Sequence, residues 1–285
     1  MNSMNKNNQI FTSLIFVSIV SALFVLCYHE VISWWYVRCN SADSYYSHGF
    51  LIPFVSGFLI WQKKNELAKI NPDGSLWGLA LIIFSVLIHI LGTILYVFSV
   101  SGFSIFFLII GIALFNYGRQ ITRIILFPLV FTIFMFPLPL AFISKISFPM
   151  KILVAKSGTL IVSLLGIPIH REGFHIMIPA GALLVGNPCS GLRSLISFLA
   201  LGALFAYMIN TSNLKKWILF ILAVPVALMS NIIRVPILIL ISHYWGLEAA
   251  APESFWHDAS GLFVFVLGFF LLFFAGKILE INEKS

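Results

Sequence analysis

The sequence predicts an all-α polytopic membrane protein, and three observations carry that reading. Of its 285 residues, 60% are hydrophobic and 9% charged, whereas a water-soluble domain is about a quarter charged. Such a chain cannot cover itself with polar surface. Its apolar residues gather into runs close to the roughly 20 that a helix needs to cross a bilayer core. Basic residues recur after every second run, as positive-inside topology requires. The 29 Phe, 7 Trp and 8 Tyr suit contact with lipid. The net charge of +7 is then a trace of topology and calls for no nucleic-acid partner.

About eight transmembrane helices are expected. The first run, 10–28, follows Lys6 and has the length of a signal peptide. It lacks a small-x-small cleavage site and many spans follow it, so it reads as an uncleaved first span. The next three are 45–61, 77–97 and 101–115, of which the first and last are short. The fifth, 124–142, contains Pro128, Pro137 and Pro139 and should kink or break near its end. The last three are 190–209, 216–242 and 255–276. No repeat or low-complexity linker divides the chain, so residues 1–285 read as a single membrane domain.

In this eight-span arrangement Lys6, Lys63, Lys64, Lys69, Arg119, Arg123, Lys215, Lys216, Lys277 and Lys284 fall on one side. That side is cytoplasmic by the positive-inside rule, with both termini. Residues 144–166 are apolar but carry Lys145, Lys151 and Lys156. If they crossed, Lys215 and Lys216 would move outside. An interfacial amphipathic helix on the outer surface is expected instead, its lysines reaching the headgroups. The loop after it, "IPIHREGFHIMIPAGALLV", alternates polar and apolar residues in part and suggests a small β-hairpin.

Three cysteines exclude a disulfide framework. Cys27 and Cys39 read better as two free thiols than as a bridge. The third, in "VGNPCSGLRSLISFLA", is differently placed. Asn187 suits an N-cap and Pro188 the first helical position. That puts Cys189 in the first turn of the sixth span, where the helix dipole lowers a thiol pKa. A buried structural cysteine is an equal reading on local chemistry alone.

Two further residues reach the same depth. Arg234, in "LMSNIIRVPILIL", lies roughly 27 Å beyond Lys216 at about 1.5 Å per residue. An arginine within a span is costly and marks function by default, unless it snorkels. Asn231 shares its face. In "APESFWHDASG", Ser254 is expected as an N-cap and His257 in the first turn, again at the outer face. A cysteine nucleophile needs a base, and an acyl-transfer intermediate needs donors aimed at its oxyanion. Cys189, His257 and Arg234 offer those roles in turn.

At "NPCSGLRSL", "NIIRVP" and "FWHDASG", with "YYSHGFLIP" in support, the sequence resembles the exosortase family, over roughly residues 45 to 275. The resemblance implies that Cys189, Arg234 and His257 form the catalytic triad of a bacterial inner-membrane cysteine transpeptidase facing the periplasm. It implies, as substrates, exported proteins with a C-terminal sorting signal. That signal is a Pro-Glu-Pro-like motif, a hydrophobic helix and a basic tail. The enzyme would cleave near the motif through a thioester and pass the new C-terminus to an acceptor of unknown identity.

Arg193, one turn after Cys189, is a candidate for binding an acidic substrate group or for the oxyanion role. Ser47 and His48, at the start of the second span, are candidates to line the site. His170, Glu172 and His175 read as solvated loop residues, since "HREGFH" is not the H-E-x-x-H metal pattern. No metal or cofactor is expected. The competing reading is a non-enzymatic component of exopolysaccharide export in which Arg234 binds an anionic glycan or lipid. A secondary transporter ranks below both, because the polar residues cluster at one face and not at the midplane.

Overall fold

The computed structural model describes residues 2–41, 44–184, 186 and 191–281, with side chains from residue 18 onward. Ten α-helices and a small sheet are present among them. The first helix, α1 (Asn2–Asn40), is longer than the expected span, and its apolar window runs over Ser18–Asn40. A 3-10 turn at Ser47–Phe50 leads into α2 (Leu51–Gln62), and a single turn, α3 (Lys64–Leu67), follows.

Helices α4 (Leu76–Ile94) and α5 (Phe98–Ile124) form a tight hairpin. Small residues let their backbones meet, as is usual where helices associate in lipid. A Cβ added at Gly78 would lie 2.2 Å from the Phe115 amide nitrogen, and one at Gly92 would lie 2.6 Å from that of Ser101. His89, within α4, bonds the Ser101 hydroxyl and packs 4.0 Å from the Tyr28 ring.

The proline-bearing fifth run breaks as expected. It forms α6 (Leu126–Phe131) and a 3-10 turn to Met135, and α7 (Leu140–Leu164) begins only after Pro139. Residues 144–166, expected to lie on the surface, belong to α7, which is long and apolar enough to cross a membrane. Both its ends nevertheless pack at the same end of the bundle. Ile143 clusters with Cys39 and Tyr46, and Val162 with Ile176 and Ile178 of the sheet. The expected hairpin is extended by a strand into a three-stranded antiparallel sheet, β1 (His170–Glu172), β2 (His175–Ile178) and β3 (Gly181–Leu184).

Three helices complete the bundle: α8 (Leu192–Met208), α9 (Asn213–Trp245) and α10 (Phe255–Ile281). Six helices among the described residues are long and apolar enough to cross a membrane; α2, α6 with its 3-10 extension, and α8 are shorter. One end of the bundle gathers the close of α1, the start of α2, the sheet, the start of α8, the close of α9 and the start of α10. At the opposite end lie Lys63, Lys69, Arg119, Arg123 and Lys215. Cys27 is an exposed free thiol and Cys39 a buried one.

Candidate active site

The site is built from α9 and α10 upward. Ser254 caps α10 as expected: its hydroxyl accepts the His257 backbone N–H at 3.1 Å and donates to the Ala249 carbonyl. That bond satisfies one of the orphan amides of the first turn. His257 is 4% exposed. Its Nδ1 lies 3.2 Å from the Ala250 carbonyl, an acceptor only, so Nδ1 carries the proton there. Nε2 is left as the basic ring nitrogen. A histidine held this way can take a proton at Nε2 without changing tautomer.

Arg234 comes from α9. Its Nη2 donates to the His257 carbonyl oxygen at 3.2 Å, an oxygen that also accepts the Ser260 hydroxyl at 2.8 Å. The guanidinium lies against Gly261, where a Cβ would be 3.1 Å from Nη2 and 3.3 Å from Cζ. His257 and Gly261 are four residues apart and share a helix face. The sequence reading missed Gly261 and the Ala250 carbonyl; a glycine one turn beyond a candidate histidine was the available signal. Arg193, half-buried on α8, is close enough for its charge, like that of Arg234, to act on the His257 ring.

Helix α9 continues eleven residues beyond Arg234 to Trp245, about 16 Å at 1.5 Å per residue. Those last turns, the sheet and the Leu247–Ala250 turn close over the pair as one apolar cluster with Val235, Leu238 and Ile176. Beneath this roof is a cavity of about 300 Å³, lined by His257, Val235, Leu247 and three consecutive residues of β3. Gly186 also lines it.

Cys189, Asn187 and Pro188 lie outside the described residues. The described helix α8 begins at Leu192, and the expected placing of Cys189 in a first helical turn capped by Asn187 lies outside the described residues. The N-cap of α8 is Gly191, with φ 79° and ψ −3°, a left-handed conformation that glycine adopts without a Cβ penalty. Gly191 packs on the fully buried Asn231, to whose Nδ2 an added Cβ would approach 2.7 Å. Asn231 thus ties the start of α8 to the helix that bears Arg234.

The structure brings His48 to α8, where its Nδ1 lies 3.2 Å from the Ser197 hydroxyl, one turn beyond Arg193. Ser47 is exposed at the same end of the bundle. His170, Glu172 and His175 are exposed on the sheet, and among the described residues no cluster of His, Cys, Asp and Glu is arranged to hold a metal ion.

A bundle of helices long and apolar enough to cross a membrane, with a histidine and an arginine paired under a small β-sheet roof, defines a polytopic membrane protein with a candidate acid–base site. The chain belongs to the transmembrane exosortase family, whose family model matches residues 34–274. No curated protein and no solved structure matches it.

Proposed function

We propose that the protein is a membrane cysteine peptidase and transpeptidase that processes exported proteins bearing a C-terminal hydrophobic sorting signal. The observation that carries this reading is the pairing of Arg234 with His257, close to the described residues Gly186 and Gly191 on either side of Cys189 in the sequence. Gly186 lines the cavity of His257, and Gly191 packs on Asn231. Cys189 is two residues from Gly191, so the chain tethers their Cα atoms within about 7 Å.

In this mechanism His257 Nε2 takes the Cys189 proton and the thiolate attacks the scissile carbonyl. The tetrahedral oxyanion is stabilised by the guanidinium of Arg234, whose planar donors and fixed charge suit that role. His257 then returns the proton to the leaving amine as the C–N bond breaks and a thioester forms. Water, or an acceptor nucleophile, releases the thioester and regenerates the thiol. Arg193 contributes charge beside the same ring and is suited to hold an acidic substrate group. Asn231, His48 and Ser47 support the site: Asn231 by packing on Gly191, His48 through Ser197, and Ser47 from the adjoining rim. The hydrophobic helix of the signal would enter the bilayer beside the bundle, with its basic tail at the cytoplasmic side.

The test is a reporter carrying a C-terminal Pro-Glu-Pro-like motif, a hydrophobic helix and a basic tail, expressed in bacterial cells with each variant. Cys189→Ala should abolish processing. Full processing by Cys189→Ala would leave the protein as a binding component of export. Mass spectrometry of the processed C-terminus separates a free carboxylate, from hydrolysis, from the added mass of an acceptor.

A further inference from the structure

The roof of the site is an open sheet edge. The strand order is β1-β2-β3, so β3 has one edge without a partner strand among the described residues. The register says which groups it offers. Ile178 pairs with Gly181 across a two-residue turn, and the residues that close such a turn exchange both main-chain bonds. Alternation then turns the N–H and C=O of Leu183 toward β2 and those of Ala182 outward.

The cavity lies along this edge. Side chains alternate between the faces of a strand, so a cavity against one face would be lined by every second residue. Instead Ala182, Leu183 and Leu184 all line it, together with His257. A cavity that meets three consecutive residues meets the main chain. Four strand residues run about 13 Å, enough to seat an extended peptide of similar length.

We propose that the substrate's extended segment docks as an added strand on β3, its main chain pairing with Ala182 and its scissile carbonyl delivered toward His257. The proposal rests on the peptidase reading above and adds how the polypeptide is held. Main-chain pairing supplies affinity with little demand on sequence, and alternate side chains of the segment would face the cavity.

The experiment uses the purified full chain in detergent and synthetic peptides of the reporter's signal, N-methylated at one residue at a time around the cleavage site. Strand pairing predicts a period of two: cleavage falls roughly tenfold at alternate positions and is kept between them, about the effect of one lost hydrogen bond. Uniform tolerance, or uniform loss, would overturn the docking. On the protein side, Ala182→Pro removes the outward N–H and leaves the bonds to β2, which edge strands accept. Its processing should drop while Cys189 still reacts with a small alkylating reagent. Wild-type processing by Ala182→Pro would also refute the proposal. So would self-crosslinking of Ala182→Cys in a chain whose other cysteines are serine, which marks a second copy on this edge. If the unmodified peptide shows no Cys189-dependent cleavage, the peptidase reading itself fails; cleavage indifferent to N-methylation removes the docking alone.

Discussion

Arg234 and His257 are joined by the bond from Arg234 Nη2 to the His257 carbonyl, and each is also held by a further group. The histidine ring is fixed by the Ala250 carbonyl, and the guanidinium is confined by the bare backbone of Gly261. Arg234→Ala should reduce processing by about 100- to 1,000-fold, the usual cost of an oxyanion donor. Arg234→Lys should also be severely impaired, because the ammonium lacks the planar fork. Arg193→Lys should be milder if measured at matched membrane levels. Gly261→Val should mimic the loss of Arg234 without loss of protein, since a displacement of about 1 Å costs on the order of 100-fold. Gly191→Ala combines a left-handed strain of roughly 1–2 kcal/mol with a clash at Asn231; both stability and processing should fall. Residue chemistry of this kind was partly legible in the sequence. An arginine inside a span and a histidine after a serine cap announce themselves by type and position. The carbonyl that orients the histidine and the glycine that receives the guanidinium do not, because their role exists only across two helices.

At the level of elements, the α4–α5 seam is tight enough that a Cβ added at Gly78 or Gly92 would meet main-chain atoms. Gly78 faces Phe115 main chain, not a movable side chain, so Gly78→Ala must part the helices. A cost of roughly 1–3 kcal/mol follows from overpacking, read as a lower thermal transition in detergent, with Gly57→Ala as the neutral comparison because its Cβ would meet nothing within 4 Å. Prolines foretold the break after α6, since a missing N–H is a local property. The left-handed N-cap of α8 at Gly191 was not foretold, while Asn187 and Pro188, which have the right types for a helix start, lie outside the described residues. Alternation suggested a hairpin; the third strand, "GALL", has too little polar contrast to declare itself.

For the molecule as a whole, apolar runs and basic residues carried the architecture, because the bilayer imposes length and sidedness on every crossing. What they could not carry was α7, whose composition suits a crossing while its packing keeps both ends beside the site. Cysteine labelling with an impermeant reagent checks the sidedness. Tyr96→Cys, exposed at the site end, should label from outside intact cells, and Lys216→Cys should not. Labelling of Lys216→Cys from outside would invert the arrangement.

The short helices have a consequence for the lipid. Helix α2 with the 3-10 turn that leads into it has 16 residues, and α6 with its 3-10 extension has ten, so as crossings they would measure ~26 Å and ~17 Å against a hydrocarbon core of about 30 Å. They pack on one another and present Phe54, Phe58 and Val130 outward. Lipid along that flank must thin to match them, at a cost of fractions of a kcal/mol per Å. A polypeptide lying there would have less hydrocarbon to cross before its polar segment reaches the site. Reconstitution in short-chain lipids, which relieve the mismatch, should therefore raise processing above that in long-chain lipids.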